Sequence, residues 1–462
     1  MRPVLDDIVE RKRVDVAARK HRLEPAPNLA RKGVFRAALA RRGARFVLEA
    51  KRRSPSAGDL RPALDAGSVV RAYEGIADAI SVVVDGPFFG GSLEFLSEIR
   101  ALTQTPLLCK DFVVDAYQVG EAAQLGADAI LLMMSILDDD EARRCLSEAE
   151  RHGIDTLVEV HDEQELERAL QLGAHTIGIN HRSFRDLSVD LAVSARLAPR
   201  VPDDVLLVAE SGIGSAADVD LLAPRADAFL VGSSLMKSDD LRAAAAALVH
   251  GRVKVCGLTH PDDLRRAQAL GATHAGIVLA ESPRRVDLAQ ARELAEAATL
   301  PLVGVFRDER VDVVVVRAKT LALFAVQLHG GESSAYVAAL RDALPRTVQI
   351  MRAIAVDVAS AQAVDADEPY AERLLFDARV GTRSGGTGIA FSWERVAQHP
   401  RLSSAWLAGG LGPDNAAAAR AVGAHGLDVS SGVEADVKGR KSPEKLAAFF
   451  EALRVPVRAE RR

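Results

Sequence analysis

With 462 residues, the chain is long for one hydrophobic core, so we expect two domains of roughly 200–250 residues each. A net charge of −5 gives no general attraction to nucleic acid or to an anionic membrane, although local Arg and Lys side chains can still bind small anions. Three scattered cysteines, Cys109, Cys145 and Cys256, exclude a disulfide framework or a zinc site. We therefore predict a reduced, cytoplasmic protein with no nucleic-acid partner and no membrane span.

The first 45 residues are predicted to form a charged helical extension. Apolar residues such as Leu5 and Ile8 recur at the spacing of one helical turn, and no apolar signal-peptide segment is present. Pro25 and Pro27 interrupt this pattern before it resumes over residues 35–40.

From Phe46 onward, short apolar runs alternate with helical segments rich in Ala, Leu, Glu and Arg. The runs are apolar throughout, which is typical of parallel strands covered on both faces. Eight of them lie before residue 250, at 46–50, 80–84, 106–110, 129–133, 156–160, 176–180, 205–210 and 228–231. Eight more follow, at 253–257, 275–279, 301–305, 323–327, 348–351, 374–377, 405–409 and 426–430.

A break at His250-Gly251 separates these two series. Eight strand–helix units in each half predict an α/β protein of two tandem (β/α)8 TIM barrels. The first barrel spans residues 1–250, with the helical extension at 1–45, and the second spans residues 251–462. Two Rossmann-like sheets are the alternative, but neither half has Gly-x-Gly-x-x-Gly after its first strand. The mixed residues 356–370 fit either a helix or a loop.

Charged residues stand at the ends of the strands of the first barrel, where all strand ends open onto one mouth. They are Glu49, Lys51, Lys110, Glu159 and Glu210. Each one alone fits a strand-end ion pair or a helix cap, but burying them all is costly unless they are paired or used. We expect Lys51, close to Lys110 in a dry pocket, to lower a lysine pKa toward useful acidity.

Gly- and Ser-rich segments follow the last two strands of this barrel, as Ser211-Gly212-Ile213-Gly214 and Gly232-Ser233-Ser234. TIM-barrel enzymes often bind a phosphate there, through backbone N–H groups and a helix N-terminus. Either segment alone is a weak turn signal, and together they predict a phosphate site.

The first half resembles indole-3-glycerol-phosphate synthase over residues 1 to about 250. The shared motifs are E-x-K-x-x-S-P-S at 49–56, K-D-F at 110–112, L-V-E-V at 157–160, I-N-x-R at 179–182 and A-E-S-G-I at 209–213. The resemblance implies cyclisation, decarboxylation and dehydration of 1-(o-carboxyphenylamino)-1-deoxyribulose 5-phosphate, with the N-terminal helix folded over the barrel mouth.

The resemblance also implies roles for individual residues. Lys110 is the general acid that protonates the substrate carbonyl, and Glu159 is the acid and base of the dehydration. Lys51 binds the carboxylate that leaves, and Glu49 orients Lys51. The implied substrate-binding residues are Ser54, Phe112, Asn180, Arg182, Glu210, Ser211, Gly212, Gly232 and Ser233.

The second half carries a different reactive set at its strand ends, namely Cys256, Arg284, His329 and Asp377. Taken singly, these residues also fit a core thiol, a loop histidine or an ion pair of Asp377 with Arg379. Gly- and Ser-rich loops at 385–388, 409–410 and 430–432 follow the last three strands and predict an anion-binding nest. No Gly-Lys-[Ser/Thr] follows the first of these loops, so it is not a P-loop.

The second half resembles phosphoribosylanthranilate isomerase over residues 252–455, through motifs that include K-V-C-G, S-P-R, Q-L-H-G and D-V-S-S-G-V-E. This implies an Amadori rearrangement of N-(5-phosphoribosyl)anthranilate. Asp377 protonates the ring oxygen, and Cys256, as a thiolate, removes the C2 proton. The implied substrate-binding residues are Arg284, His329, Gly386, Gly388, Gly409, Gly410, Ser430 and Gly432.

The order of the two halves, synthase then isomerase, resembles the fused bifunctional enzyme of tryptophan biosynthesis, whose partners are small phosphosugars. The resemblance implies that neither step needs a metal or a cofactor, and we expect a monomer. Another tandem pair of phosphosugar barrels, such as the histidine-pathway isomerase and cyclase, is expected to use Asp at strands 1 and 5, where this chain has Glu49, Glu159 and Cys256. A non-catalytic phosphate-binding scaffold is expected to have lost the strand-end ionisable groups, which are present here.

Overall fold

A computed structural model describes residues 4–20, 31–183, 186–360, 362, 364, 367–380, 383–384 and 390–460. The chain divides into two compact units, Met1–Val249 with Val455–Arg462, and His250–Arg454. None of the described helices is long and apolar enough to cross a membrane. Within the same described ranges, no group of three or more His, Cys, Asp or Glu is placed to hold a metal ion.

The first unit is a closed barrel of parallel strands, as predicted. Its eight strands are Arg45–Ala50, Ala79–Val83, Leu107–Lys110, Ala129–Met133, Asp155–Val160, Thr176–Asn180, Leu206–Glu210 and Ala228–Val231. Each strand pairs with the next, and the last closes on the first with Arg45 opposite Ala228. The described α-helices are Val4–Lys20, Val34–Leu39, Ala66–Tyr73, Gly86–Phe89, Leu93–Leu102, Tyr117–Gln124, Asp139–His152, Glu163–Gln171, Ala192–Leu197, Ala216–Leu222, Ser233–Met236 and Leu241–His250.

Apolar side chains fill the barrel interior below its polar mouth. Val47, Leu108, Leu131, Leu157 and Val208 form part of this inner cluster. Successive strand residues point to opposite faces, so the remaining apolar side chains of the same strands pack outward against the helices. This two-sided packing explains why the strands are apolar throughout.

The second unit is also a closed barrel of eight parallel strands. These are Val253–Val255, His274–Val278, Leu302–Phe306, Ala325–Leu328, Gln349–Asp357, Arg373–Val380, Trp406–Leu407 and Gly426–Val429, and the short strand Arg383–Ser384 pairs antiparallel with the sixth. The described α-helices are Pro261–Ala269, Leu288–Ala297, Val311–Thr320, Ser334–Ala343, Glu394–Ala397, Ala416–Ala421 and Pro443–Ala452. The fifth strand is longer than predicted, because it pairs with the sixth from Met351 opposite Arg373 to Asp357 opposite Arg379.

The junction between the two barrels lies at a helix end beside Gly251. The last helix of the first series ends at His250, and Gly251 follows with φ +75°. A left-handed residue is a common helix stop, and glycine adopts this conformation without a Cβ penalty. The next strand begins at Val253.

The N-terminal helix is fixed by a buried lysine. Lys12 Nζ lies 2.9 Å from Asp85 Oδ1 and 2.6 Å from Asp111 Oδ1, and all three side chains are buried. Burial alone lowers the pKa of Lys12, but Asp111 and Asp85 outweigh it and the pKa is raised. Since Asp111 directly follows Lys110, this ion pair ties the helix to the carboxyl end of the third strand.

We predict that Lys12→Met destabilises the first unit by about 3–5 kcal/mol, because two buried carboxylates lose their cation. Arg11→Met on the same helix is the control. The Arg11–Asp15 pair is exposed, and its loss is expected to change stability by less than about 1 kcal/mol. Urea unfolding followed by circular dichroism measures both variants, while fluorescence of Trp393 and Trp406 reports the second unit. Equal effects of the two variants would contradict the prediction.

The last residues of the chain, which the sequence analysis places in the second barrel, pack with the first. The Ala44 N–H donates to the Val455 carbonyl at 2.9 Å. Buried Arg458 lies 3.0 Å from Asp227 and donates to the carbonyl of Val201. Asp227 immediately precedes the eighth strand, so these bonds form at the amino-terminal end of the first barrel.

Candidate active sites

A cavity of about 390 Å³ opens at the carboxyl ends of the strands of the first barrel. The structure brings together there all of the residues that the sequence analysis assigned to the first site. They are Glu49, Lys51, Ser54, Lys110, Phe112, Glu159, Asn180, Arg182, Glu210, Ser211, Gly212, Gly232 and Ser233.

The charged centre of this cavity is built by alternate strands. Lys110 ends the third strand, Glu159 lies in the fifth and Glu210 ends the seventh. In a TIM barrel, alternate strands contribute side chains to the same layer, so these groups meet. Lys110 Nζ is 3.0 Å from Glu210 Oε2 and 3.5 Å from Glu159 Oε2.

The prediction that Lys51 lowers the lysine pKa toward useful acidity is wrong for Lys110. Burial does lower the pKa of Lys110, but Glu210, Glu159 and Glu49 outweigh it and raise the pKa above its ordinary value. Lys51 is itself paired with a carboxylate, because its Nζ lies 2.6 Å from Glu49 Oε1. Lys110 is therefore a fully protonated ammonium at neutral pH.

The carboxylates of this cavity have pKa values that are pushed in opposite directions. Burial raises the pKa of Glu210 to about 7, with Glu159 adding to this effect and Lys110 opposing it. Burial also favours a high pKa for Glu49, but Lys51 and Lys110 outweigh it and lower the pKa. Glu49 is thus a permanent anion, whereas Glu210 titrates near neutral pH. Such divergence is common where carboxyl groups have different roles.

One wall of the cavity is apolar and was largely missed from the sequence. Phe89 and Phe112 have ring centroids 5.7 Å apart, and Leu131, Met133 and Leu230 line the same space. The sequence does contain a signal for this wall. Side chains two residues apart in a strand share a face, and Leu131 and Met133 share the inner face of the fourth strand. This wall fits the aromatic ring of a substrate.

The loop after the seventh strand has an unusual backbone. Ser211 has φ +67° and Gly212 has φ +78°. A left-handed serine is strained, and such strain clusters at functional sites. His181 supports this loop, because its Nδ1 lies 2.9 Å from the Ser211 carbonyl and its Nε2 lies 2.7 Å from Ser194 Oγ. Successive backbone N–H groups in a turn form a concavity that binds anions.

His161 is a second histidine that sequence reasoning missed. Its Nδ1 is 3.0 Å from Glu165 Oε2, and its Nε2 is 3.5 Å from Glu159 Oε1. Only its position just beyond a strand-end glutamate points to it. His161 links Glu159 to the following helix, which begins at Glu163.

The second barrel has a smaller cavity, of about 160 Å³, at the corresponding end. The predicted residues that line it are Cys256, Arg284, His329, Asp377, Gly409, Gly410 and Ser430. Gly432 is described but does not line this cavity. It packs closely against Leu411, because a Cβ at position 432 would lie 2.0 Å from the Leu411 carbonyl oxygen. Gly386 and Gly388 lie outside the described residues.

Asp377 is held from two sides. His329 Nε2 lies 3.1 Å from Asp377 Oδ2, and His329 Nδ1 lies 2.9 Å from Gln327 Nε2. On the other side, Gly409 approaches so closely that a Cβ would stand 3.0 Å from Asp377 Oδ1. Sequence reasoning missed Gln327, which is buried and belongs to the same Q-L-H-G motif as His329.

Arg284 is oriented by a glutamate that was also missed as a site residue. Its Nε and Nη2 atoms donate to the two carboxylate oxygens of Glu434, at 2.6 Å and 2.9 Å. A bidentate pair of this kind fixes the plane of the guanidinium. Arg307, which follows the third strand, lines the cavity as well.

Cys256 is not a resting thiolate. Burial raises the pKa of the Cys256 thiol above its ordinary value, and the nearby Lys254 ammonium only partly opposes this. The thiolate that the resemblance requires during the reaction is therefore not favoured in the resting protein. Proton loss from Cys256 has to accompany the reaction.

Comparison with known proteins identifies both halves. The family model for Indole-3-glycerol phosphate synthase matches residues 5–248, and that for N-(5'phosphoribosyl)anthranilate (PRA) isomerase matches residues 253–452. The Vibrio cholerae tryptophan biosynthesis protein TrpCF is 44% identical over 88% of this chain and 86% of its own length. The Salmonella typhi protein of the same name is 41% identical, and the alignment covers 98% of this chain and 100% of that protein.

Among solved structures, phosphoribosyl anthranilate isomerase from Thermus thermophilus is 36% identical, covering 44% of this chain and 98% of its own, with a TM-score of 0.38. The two family matches lie in tandem, and the TrpCF relatives align across both of them. The chain therefore belongs to the TrpCF family of bifunctional tryptophan-biosynthesis enzymes, with an indole-3-glycerol phosphate synthase domain followed by a PRA isomerase domain.

Proposed function

We propose that the first cavity converts 1-(o-carboxyphenylamino)-1-deoxyribulose 5-phosphate into indole-3-glycerol phosphate, with Lys110 as the general acid. The observation that carries this proposal is the ammonium of Lys110 within 3.5 Å of both Glu159 and Glu210. The raised pKa keeps the proton on Lys110 until the substrate carbonyl gains basicity during ring closure. Glu159 then moves protons during dehydration.

The remaining groups of the first cavity bind the substrate. Lys51, oriented by Glu49 at 2.6 Å, pairs with the carboxylate that leaves as CO₂. The anthranilate ring packs on the apolar wall beside Phe112. The phosphate is bound by the loops at 211–212 and 232–233, where the backbone of Ser211 and Gly212 is left-handed.

In the second cavity, we propose that Asp377 and Cys256 act as general acid and general base. Asp377 protonates the ring oxygen of N-(5-phosphoribosyl)anthranilate, and Cys256 removes the C2 proton of the resulting Schiff base. The contact of His329 with Asp377, at 3.1 Å, holds the acid in place. Arg284, fixed by Glu434, directs its remaining N–H groups to the substrate. The product is the substrate of the first cavity.

A two-substrate assay on the full chain tests this proposal. Supplied with 1-(o-carboxyphenylamino)-1-deoxyribulose 5-phosphate, the protein is expected to produce indole fluorescence. Supplied with N-(5-phosphoribosyl)anthranilate, it is expected to form first 1-(o-carboxyphenylamino)-1-deoxyribulose 5-phosphate and then indole-3-glycerol phosphate. Liquid chromatography detects the first of these compounds as the intermediate. Indole formation from the first compound but not from the second would overturn the proposal for the second cavity alone.

We also infer that the chain works in the cytoplasm, as a monomer, on small phosphosugars and without nucleic acid. The net charge of −5 and three buried free cysteines support a reducing compartment and no polyanion partner. Light scattering at working concentration measures the oligomeric state, and a mass of two chains would contradict the monomer.

A further inference from the structure

A buried ion pair of Lys254 and Asp428 lies inside the second barrel, and Asp428 lines the cavity. Lys254 lies in the first strand and Asp428 in the eighth, directly opposite each other in the strand register. Lys254 Nζ is 2.7 Å from Asp428 Oδ2, and Lys254 is fully buried. Nearby interior positions hold apolar Met351, Leu375 and Trp406. Because a buried pair is a poor source of stability compared with apolar packing, its presence points to a functional use.

The pair lies beside the sulfur of Cys256. Lys254 and Cys256 are two residues apart in an extended segment, so their side chains project to the same side. Both pack over Gly276 of the next strand, where a Cβ would lie 2.8 Å from Cys256 Sγ and 3.0 Å from Lys254 Cε. The positive charge of the ammonium favours the thiolate form of Cys256. A larger residue than glycine at position 276 would separate the two groups.

Two further cations, Arg284 and Lys441, also interact with Cys256, and each has an acidic partner, as Lys254 has in Asp428. Arg284 is bonded to both oxygens of Glu434, and Lys441 Nζ lies 3.1 Å from the Ser430 carbonyl and 3.5 Å from Glu434 Oε1. On the far side of the cavity, Asp377 pairs with His329. Lys254 influences the thiol more strongly than Lys441 does, and Asp428 opposes that influence.

We propose that Lys254, anchored by Asp428, is a positioning residue that stabilises the Cys256 thiolate during isomerisation. This inference rests on the proposed role of Cys256 as the general base. In that step the C2–H bond breaks, an S–H bond forms, and the C–H electron pair moves toward the protonated imine to give the enamine. Lys254 keeps its protons throughout and never contacts the substrate.

Two variants of the full chain test the proposal. Lys254→Met removes the charge and leaves Asp428 unpaired, whereas the double variant Lys254→Met/Asp428→Asn removes the whole pair. The pH dependence of alkylation by iodoacetamide, read on the Cys256 peptide by mass spectrometry, gives the thiol pKa. We expect this pKa to rise by about one unit or more in both variants, because the thiolate loses the nearby cation. In the single variant, buried Asp428, whose pKa is already raised by burial, takes up a proton once Lys254 is gone.

Kinetics separate this role from a purely structural one. The kcat of the isomerase at neutral pH is expected to fall about tenfold for each unit by which the thiol pKa rises, with KM changed less than twofold. Fluorescence of Trp406, in the same barrel interior, checks that the variants are folded. A folded double variant in which Cys256 titrates as in the native chain would overturn the proposal. Isomerase activity of the native chain tests the proposed function separately.

Discussion

Lys110→Met is expected to abolish indole formation, lowering kcat of the synthase by about 10³-fold or more while leaving the isomerase intact. General acid catalysis contributes about 10²–10⁴-fold. The substitution also leaves Glu159 and Glu210 buried without the cation that lies 3.5 Å and 3.0 Å from them. Glu210, whose pKa burial already raises to about 7, then takes up a proton, so the charge pattern of the cavity is lost together with the acid.

The measurement is single-substrate kinetics with 1-(o-carboxyphenylamino)-1-deoxyribulose 5-phosphate. The isomerase activity of the same molecule is the internal control for concentration and folding, since Lys110 and Asp377 lie in different barrels. Lys237→Met is the matched control, because Lys237 lines the same cavity but contacts none of the central carboxylates in the described hydrogen bonds and ion pairs. A folded Lys110→Met variant with kcat within tenfold of the native value would show that another group is the acid.

Cys256→Ala is expected to have the reverse effect, lowering the isomerase kcat by about 10²–10⁴-fold, the range for loss of a general base, and sparing the synthase. Because the pKa of Cys256 is raised above its ordinary value, native isomerase activity that depends on free thiolate is expected to rise with pH through neutrality. Cys145→Ala, which removes a buried thiol from the first unit, is the control.

The two activities of each variant are compared in the same preparation, so a loss of protein cannot imitate a loss of chemistry. If Cys256→Ala silenced the synthase as well, the assignment of one complete site to each barrel would be wrong. If it left the isomerase active, Cys256 would be only a packed thiol in the barrel.

The strands were predictable because each is a continuous apolar run that local sequence displays. The limits of this approach appear at the fifth strand of the second barrel, which extends through Arg352 to Asp357. Residues 353–356 are apolar, but Arg352 separates them from the run that ends at Met351, and Asp357 follows them. They are held in the sheet by pairing with Arg373–Val380, a partner that is distant in sequence.

The composition of the first cavity was also predictable, because the carboxyl ends of barrel strands always meet at one mouth. The sign of the Lys110 pKa shift was not. It depends on whether Lys51 or the carboxylates lie closer to Lys110, and the sequence gives residue types without distances. In the structure, Lys51 is paired with Glu49, and Glu210 reaches Lys110.

Residues that support other residues were the hardest to predict. His181 holds the Ser211 loop, His161 contacts Glu159, and Glu434 orients Arg284. The contacts of His181 and Glu434 join segments that only the closed barrel brings together, and the contact of His161 depends on the direction of one side chain.

The bonds of the C-terminal segment bear on how the chain folds during its synthesis. The first barrel leaves the ribosome about two hundred residues before Arg458 does, and domains generally fold in the order in which they emerge. Until the final residues are released, Asp227 lacks the guanidinium that lies 3.0 Å away in the finished protein, and the Ala44 N–H lacks the Val455 carbonyl. The first domain to fold therefore forms these bonds only after the second domain has been synthesised. A chain ending at Arg454 isolates the earlier state, and the urea midpoint of its first barrel measures what the last eight residues add.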